Sequence, residues 1–440
     1  MKLIKSLVLG SVAGLAAVAG ANAADLPMTK AAPVEYVRVC TTYGAGFFYI
    51  PGTDTCLRVS GRVRADYLYG TPQTRASDAV GFRARGRIQL DARTATAYGL
   101  LRSVVRFEIT RSSATPFGNT GGIGTTPNVA QAFVQFGGLT AGRVTSMFSN
   151  GDLPTGHMGT LRFDDAPDVD LLAYTFSFGN GFSATVSLED ALERRAGGFI
   201  AGGFYADPLT YAGTRAPDLV GNLKYAGTWG TAQLSGAVHQ LRSNDLYTLP
   251  NGFTDYPDTE YGFAVGASAS VNLPQLAPGD ALWMFATYAD GATTYLNGGN
   301  AGTIISPFTG LTSSNFLLVD GYVNPLSNDI KKTKAWAIAG GFRHYWTPQI
   351  RTNLFGSYLR ANYGAGASTI DTTTGLSSGL TDFSEFRVGA NVFWQPVSGL
   401  DLGVEVIYAK IDPRGRFNTA NGFTSADDAI EGRIRVQRDF

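Results

Sequence analysis

Seven arginines crowd three neighbouring stretches of the chain: Arg62 and Arg64, then Arg83, Arg85 and Arg87, then Arg102 and Arg106. In GFRARGRIQLDAR, 81–93, a period of two puts Arg83, Arg85, Arg87, Gln89, Asp91 and Arg93 on one face. Phe82, Ala84, Gly86, Ile88, Leu90 and Ala92 fall on the other. That split predicts a β-strand with one wet and one apolar side; a helix would scatter the arginines around its circumference. Guanidinium groups spaced about 7 Å apart along a strand cannot sit unpaired in a closed core. They need water, an acidic partner, or both. A candidate partner follows in SNGDLPTGHMGTLRFDDAPDVD, 149–170, which carries Asp152, Asp164, Asp165, Asp168 and Asp170. Asp-rich loops ordinarily face water and shape turns. Here, arginine on three successive strands with acids in the next long loop points to a transverse field across a narrow aqueous aperture. Such a field aligns dipolar solutes and hydrated ions, and the charge lining the aperture sets ion preference.

Bond-making chemistry finds less support. A hydrolase would need a Ser/His/Asp-type constellation at one rim. The three histidines are His157, His239 and His344. His157 lies in the acidic loop with no obvious nucleophile beyond loop Ser or Thr, His239 is on an inward parity, and His344 shares a face with Trp336, Ile338, Phe342 and Trp346. No Gly-rich phosphate cradle, zinc spacing or EF-hand loop is present, so neither cofactor nor metal is expected.

The elements that must position these residues alternate like the arginine strand. Runs with period two occur at 58–69, 81–94, 101–109, 129–136, 139–147, 172–178, 182–189 and 219–225, and again at 232–241, 261–272, 282–289, 335–346, 350–362, 386–394, 400–410 and 430–440. Their even count suits a bacterial membrane barrel of roughly sixteen strands. Connections alternate between short turns, such as 137–138 and 347–348, and long segments, such as 111–128, 149–170, 191–217 and 291–333. That beat predicts a 16-stranded antiparallel transmembrane β-barrel with short periplasmic turns, long external loops and an inward-folded third loop. Pro274 and Pro278 lengthen one turn against this rule. Tyr67, Tyr69, Tyr225, Trp229, Trp346, Trp394 and Tyr408 sit near strand ends, as interfacial girdles require.

Composition agrees. The 440 residues include 55 Gly, 20 Tyr and 27 Phe against 5 Met, which favours strands and loops over packed helices. Basic and acidic residues balance at 35 each, so bulk charge does not point to a nucleic-acid partner. Residues 1–23 read as a signal peptide, with Lys2 and Lys5 before an apolar stretch and Ala21-Asn22-Ala23 as the cleavage site. No later stretch reaches the ~18–20 apolar residues of a spanning helix. Residues 24–56 form a periplasmic lead and 57–440 the barrel, with 149–170 as its constriction loop. In an oxidising compartment Cys40 and Cys56 are expected to form a disulfide closing a loop of roughly 15 residues.

The chain resembles the alphaproteobacterial porins, outer-membrane general diffusion channels of the Rhizobiales type. The likeness rests on YVRVCTTYGAGFFYIPGTDTCLRVSGRVRADY at 36–67, on GFRARGRIQLDART, on the inserted loop and on the terminal Phe440. It implies a homotrimer of sixteen-stranded barrels in the bacterial outer membrane, each passing small hydrophilic solutes and ions through a pore narrowed by the third external loop. It further implies contact with outer-membrane lipid and lipopolysaccharide, a barrel-assembly machinery that reads Phe440, and attachment to peptidoglycan at Ala24. A solute-selective channel for anions, phosphate or sugars is the alternative. Its sugar form would need an aromatic slide that the inward parity does not supply.

Overall fold

In a computed structural model of the protein, the described residues are 38–440 apart from 73–74, 198–206, 249–251, 298–317, 325–326, 365–366, 368–379, 414–416, 420–421 and 425–426. The expected signal peptide and Ala24 lie outside them.

All sixteen predicted strands form. They are β1 Cys56–Gly70, β2 Val80–Thr96, β3 Gly99–Ala114, β4 Asn119–Phe136, β5 Leu139–Thr145, β6 Asp168–Gly179, β7 Phe182–Glu189 and β8 Asp218–Gly227. The second half comprises β9 Gly230–Leu241, β10 Glu260–Asn272, β11 Ala281–Asp290, β12 Lys334–Thr347, β13 Ile350–Asn362, β14 Phe383–Val397, β15 Leu400–Pro413 and β16 Asp427–Asp439. Consecutive strands pair antiparallel. The last returns to the first, in register from Arg62↔Asp439 to Gly70↔Glu431, so the sheet closes into a barrel. Gly61 then exchanges both backbone hydrogen bonds with Phe440, whose ring fills the space a side chain at Gly61 would need.

The outer surface is apolar. Val63, Ile88, Phe107, Leu234, Leu354, Val404 and Ile434 are all exposed, which a water-soluble protein would avoid on this scale. Around lipid it is what an outward face requires. At the strand ends Tyr225 stacks on Trp229 with ring centroids 5.1 Å apart, and Trp346 and Trp394 project outward.

One connection differs from expectation, and the turn expected to be long has a structural explanation. Segment 111–128 is mostly strand: β3 runs to Ala114, β4 starts at Asn119, and Ser113↔Ile123 and Arg111↔Thr125 extend the ladder. Gly- and Thr-rich sequence resembles loop, yet threonine pairs well across a sheet. The long turn 273–280 is organised by Asp280, whose buried carboxylate accepts from His344 Nδ1 at 2.6 Å and from the Tyr345 N–H at 2.8 Å. Two prolines lengthen the turn, and this carboxylate fastens it to β12.

At the end of the barrel where β1 begins, residues 38–55 fold under the lumen wall. A short strand, Phe48–Tyr49, pairs with the start of β1, and Cys40 is bonded to Cys56. Phe47 is buried beneath two wall arginines, with Arg93 4.8 Å and Arg58 5.1 Å from its ring centre. Such contacts are worth about 0.5–2 kcal/mol each. Cys40→Ser is expected to leave the barrel able to assemble but about 3 kcal/mol less stable by the chain-entropy argument. Urea unfolding in detergent, followed by tryptophan fluorescence with and without reductant, checks this: wild type loses resistance on reduction and the variant does not change.

At the opposite end, Asp78 joins the first external loop to the extended β3–β4 hairpin. Its carboxylate accepts from the Gly121 N–H at 2.9 Å and the Thr115 N–H at 3.0 Å, which holds its pKa below the usual carboxylate value. A depressed carboxyl stabilises above its unfolded pKa, and that contribution is lost as pH falls through the folded value. Amide exchange at Gly121 and Thr115, corrected for intrinsic rates, should therefore quicken on acidification, and Asp78→Asn should show fast exchange at all pH values.

Candidate functional site

The third external loop, 146–167, turns into the barrel. Its neck is closed by Ser146 N–H donating to Pro167 O, and Glu189 accepts from both Ser146 Oγ and the Met147 N–H. The loop then follows the inner wall. Asn222 of β8 donates to Met147 O, Ser235 of β9 to Phe148 O, and Asn150 to Ser268 of β10. Further along, Asn391 of β14 donates to Gly156 O at 2.8 Å. Glu405 of β15 accepts from the N–H groups of Met158 and Gly159, both at 2.6 Å. Arg433 of β16 donates to Met158 O. Gly159 fits closely here: a Cβ would lie 2.6 Å from Ile407 Cδ1 and 2.9 Å from Glu431 Oε1, so both side-chain ends would have to shift.

Beneath the loop the inner wall is apolar. Phe148, Leu161 and Phe163 bury themselves against Trp283, Phe285 and Phe355. Inward positions on β10 to β13 therefore break the polar-inside pattern because the loop covers them. Two ion pairs fasten its return limb. Arg162 meets Glu385 at 2.9 Å, and Arg194 meets Asp164 at 2.6 Å, all four side chains being almost fully buried. Arg194 also stacks on Tyr295, 4.3 Å from its ring centre, which links loops 146–167, 190–217 and 291–333.

The remaining arc of the lumen, β16 through β4, carries the predicted arginines on its inner face. Arg62, Arg64, Arg83, Arg85, Arg87, Arg102 and Arg106 are all partly accessible there. Their counter-charges come from the wall itself. Asp66 pairs with Arg83 and with Arg435 of β16; Glu108 pairs with Arg85 and Arg87; Asp91 pairs with Arg93 and Arg102; Asp439 pairs with Arg62.

The loop acids are placed differently from one another. Asp152 pairs with Lys224 at 2.7 Å and is 56% exposed, and Asp165 lies 3.7 Å from His157 Nε2. Asp164 is consumed by Arg194 and Ser149. Asp168 accepts from Gln131 and Thr145. Asp170 alternates with the buried Val169 and Leu171, so it shares the outward parity of Leu172, near Arg143, Asp190 and Glu193. Among the described residues none of the five forms an ion pair with the seven arginines. Glu405, Glu385, Glu431, Arg433 and Arg435 are site residues the motif reading passed over. Each sits on the inward parity of β14 to β16, so the rule that found the arginine strand would have found them too.

Glu405→Gln should release the loop tip by removing the charge from two charge-assisted hydrogen bonds, each worth about 1.5–3 kcal/mol. The expected result is larger, noisier single-channel current. Arg194→Met strands Asp164 as a buried charge, a loss of about 3–5 kcal/mol, and should expose 146–167 to protease. Wild-type current and protease resistance in both variants would show that these contacts do not hold the loop.

The porin subfamily profile matches residues 25–432. Porin Omp2b of Brucella canis is 30% identical over 99% of this chain and 99% of its own length, and Porin Omp2b of Brucella abortus matches equally. Among solved structures, the outer membrane channel DcaP of Acinetobacter baumannii superposes with TM-score 0.61 at 16% identity, covering 89% of this chain and 99% of that one. An anion-selective porin from Comamonas acidovorans superposes with TM-score 0.51 at 12% identity, covering 88% and 100%. With a closed sixteen-stranded barrel, an apolar exterior and an inward loop, the chain belongs to the porin subfamily and is a β-barrel of the bacterial outer membrane.

Proposed function

We propose that solutes cross this porin between the arginine-bearing arc and the inward loop. The channel is a water-filled path for passive diffusion of small hydrophilic solutes and ions. The observation that carries the finer reading is the division of the lumen: loop 146–167 occupies the arc from β7 to β16, while Arg62, Arg64, Arg83, Arg85, Arg87, Arg102 and Arg106 remain accessible on the other. The accessible loop acids, Asp152 and Asp165, supply the opposite sign. Asp164, Asp168 and Asp170 act through loop and rim structure instead.

The same reading takes residues 1–23 as a removed signal peptide, 24–56 as the periplasmic lead, and the assembly as a homotrimer in lipopolysaccharide-bearing lipid. It also takes Phe440, seated over Gly61, as the mark recognised during barrel assembly, and Ala24 as the point of peptidoglycan attachment.

Replacing Arg83, Arg85 and Arg87 by glutamine should shift selectivity toward cations and change conductance, because fixed charge at close quarters sets which ion is enriched. Reversal potential in a salt gradient is the measurement. An unchanged value would place these residues away from the conducting path.

A further inference from the structure

Two arginines of the wall hydrogen-bond a glutamine where their neighbours hold a carboxylate. Arg64 donates Nε to Gln437 Oε1 at 2.9 Å, and Arg106 donates Nε to Gln89 Oε1 at 2.8 Å. Among the described residues, neither has a carboxylate within ion-pair distance, although other wall arginines do. Register makes the excess sharper: Arg62 stands directly opposite Arg87, and Arg64 directly opposite Arg85. Like charges facing each other across a strand pair repel. Among the described residues, the acids within ion-pair distance of this group are Asp439, on Arg62, and Glu108, shared by Arg85 and Arg87, while Asp66 and Asp168 act on Arg64 and Arg106 from farther off. Within that distance five guanidinium groups meet two carboxylates.

The group is set apart from the loop tip. Arg433, which holds Met158 O, is in register with Leu68, whereas Arg64 lies four residues nearer the start of β1. At ~3.3 Å per residue that is about 13 Å toward the periplasmic end. Each glutamine takes Nε, and among the described residues the terminal nitrogens of both arginines have no further hydrogen-bond partner. A planar fork of this kind matches an oxyanion bidentately, and phosphate best satisfies several forks at once.

We propose that Arg64 and Arg106, with Arg62, Arg85 and Arg87, form a binding station for a multiply charged oxyanion below the narrowing. Its ligand is a phosphate group, free or carried on a small phosphorylated solute. The station rests on the reading of this arc as the conducting path, and it gives the diffusive channel a saturable step for one solute class. The bound dianion supplies the negative charge that the wall lacks.

The test uses the full-length protein in planar bilayers, in potassium chloride at constant ionic strength with increasing inorganic phosphate or glucose 6-phosphate. Chloride current should fall and saturate as the station fills. Arg64→Gln with Arg106→Gln should weaken the apparent affinity by about tenfold or more. Arg64→Lys with Arg106→Lys keeps the charge without the fork, so it should lose the saturable block although the net charge of the wall is unchanged. A heat-dependent gel shift confirms the barrel in each variant. Block by inorganic phosphate assigns the free ion, and block by glucose 6-phosphate alone assigns the phosphorylated solute. Wild-type current that responds to neither, or glutamine and lysine variants blocked like wild type, overturns the station while the pore stands. Absence of any channel current from folded wild type would remove the pore reading itself, and the station with it.

Discussion

Hydrocarbon offers no partner to a backbone N–H or C=O, so a sheet in lipid cannot keep an open edge. Every other feature of this molecule depends on that constraint being met where β16 pairs with β1. Once the seam is shut, the outward parity is given over to lipid and the inward parity is free to differ from one arc to the next. Sixteen strands enclose more space than wall side chains can fill. Something else must occupy it, and the third external loop does.

Seating that loop is partly a hydrophobic matter and partly one of charge. Phe148, Leu161 and Phe163 bury apolar surface against an inner wall that would otherwise face water. Arg162–Glu385 and Arg194–Asp164 are expensive to desolvate, and such pairs contribute more to fixing one arrangement than to net stability. The external loops are joined by a second polar network. Tyr211 donates its hydroxyl to Asp320 at 2.7 Å, Asp320 accepts from the Ala196 and Thr293 N–H groups, and His239 bonds Asp218 at 2.7 Å. Burial pushes the Asp320 carboxyl above its ordinary range. Loops 190–217 and 291–333 are thus tied to the same wall that receives 146–167, and the filling of one arc leaves the arginine arc clear.

The strands were legible because lipid and water read alternate side chains, and that alternation is written locally in stretches such as 81–93. The arginine wall was legible for the same reason. The pairing of charges was not. Asp66 is held by Arg435 and Arg62 by Asp439, contacts created only when chain ends meet around the barrel, and no local pattern announces them. The loop's inward turn could be expected from its length and acids, but its path could not. Trp283, Phe285 and Phe355 are apolar on an inward face because Phe148 and Phe163 cover them, and that cover comes from a loop far off in the chain. Segment 111–128 misled through composition, since Gly and Thr suit loops and the edge of a tall hairpin equally well.

The Cys40–Cys56 bridge lies wholly at or before the first residue of β1. Its two thiols need no barrel to bring them together, because the short segment between them already keeps them close. Covalent closure and membrane insertion are consequently separable events, and the bridge can precede the sheet. The first strand then arrives with its leading end already cross-linked, which fixes one end of the sheet that β16 later pairs with.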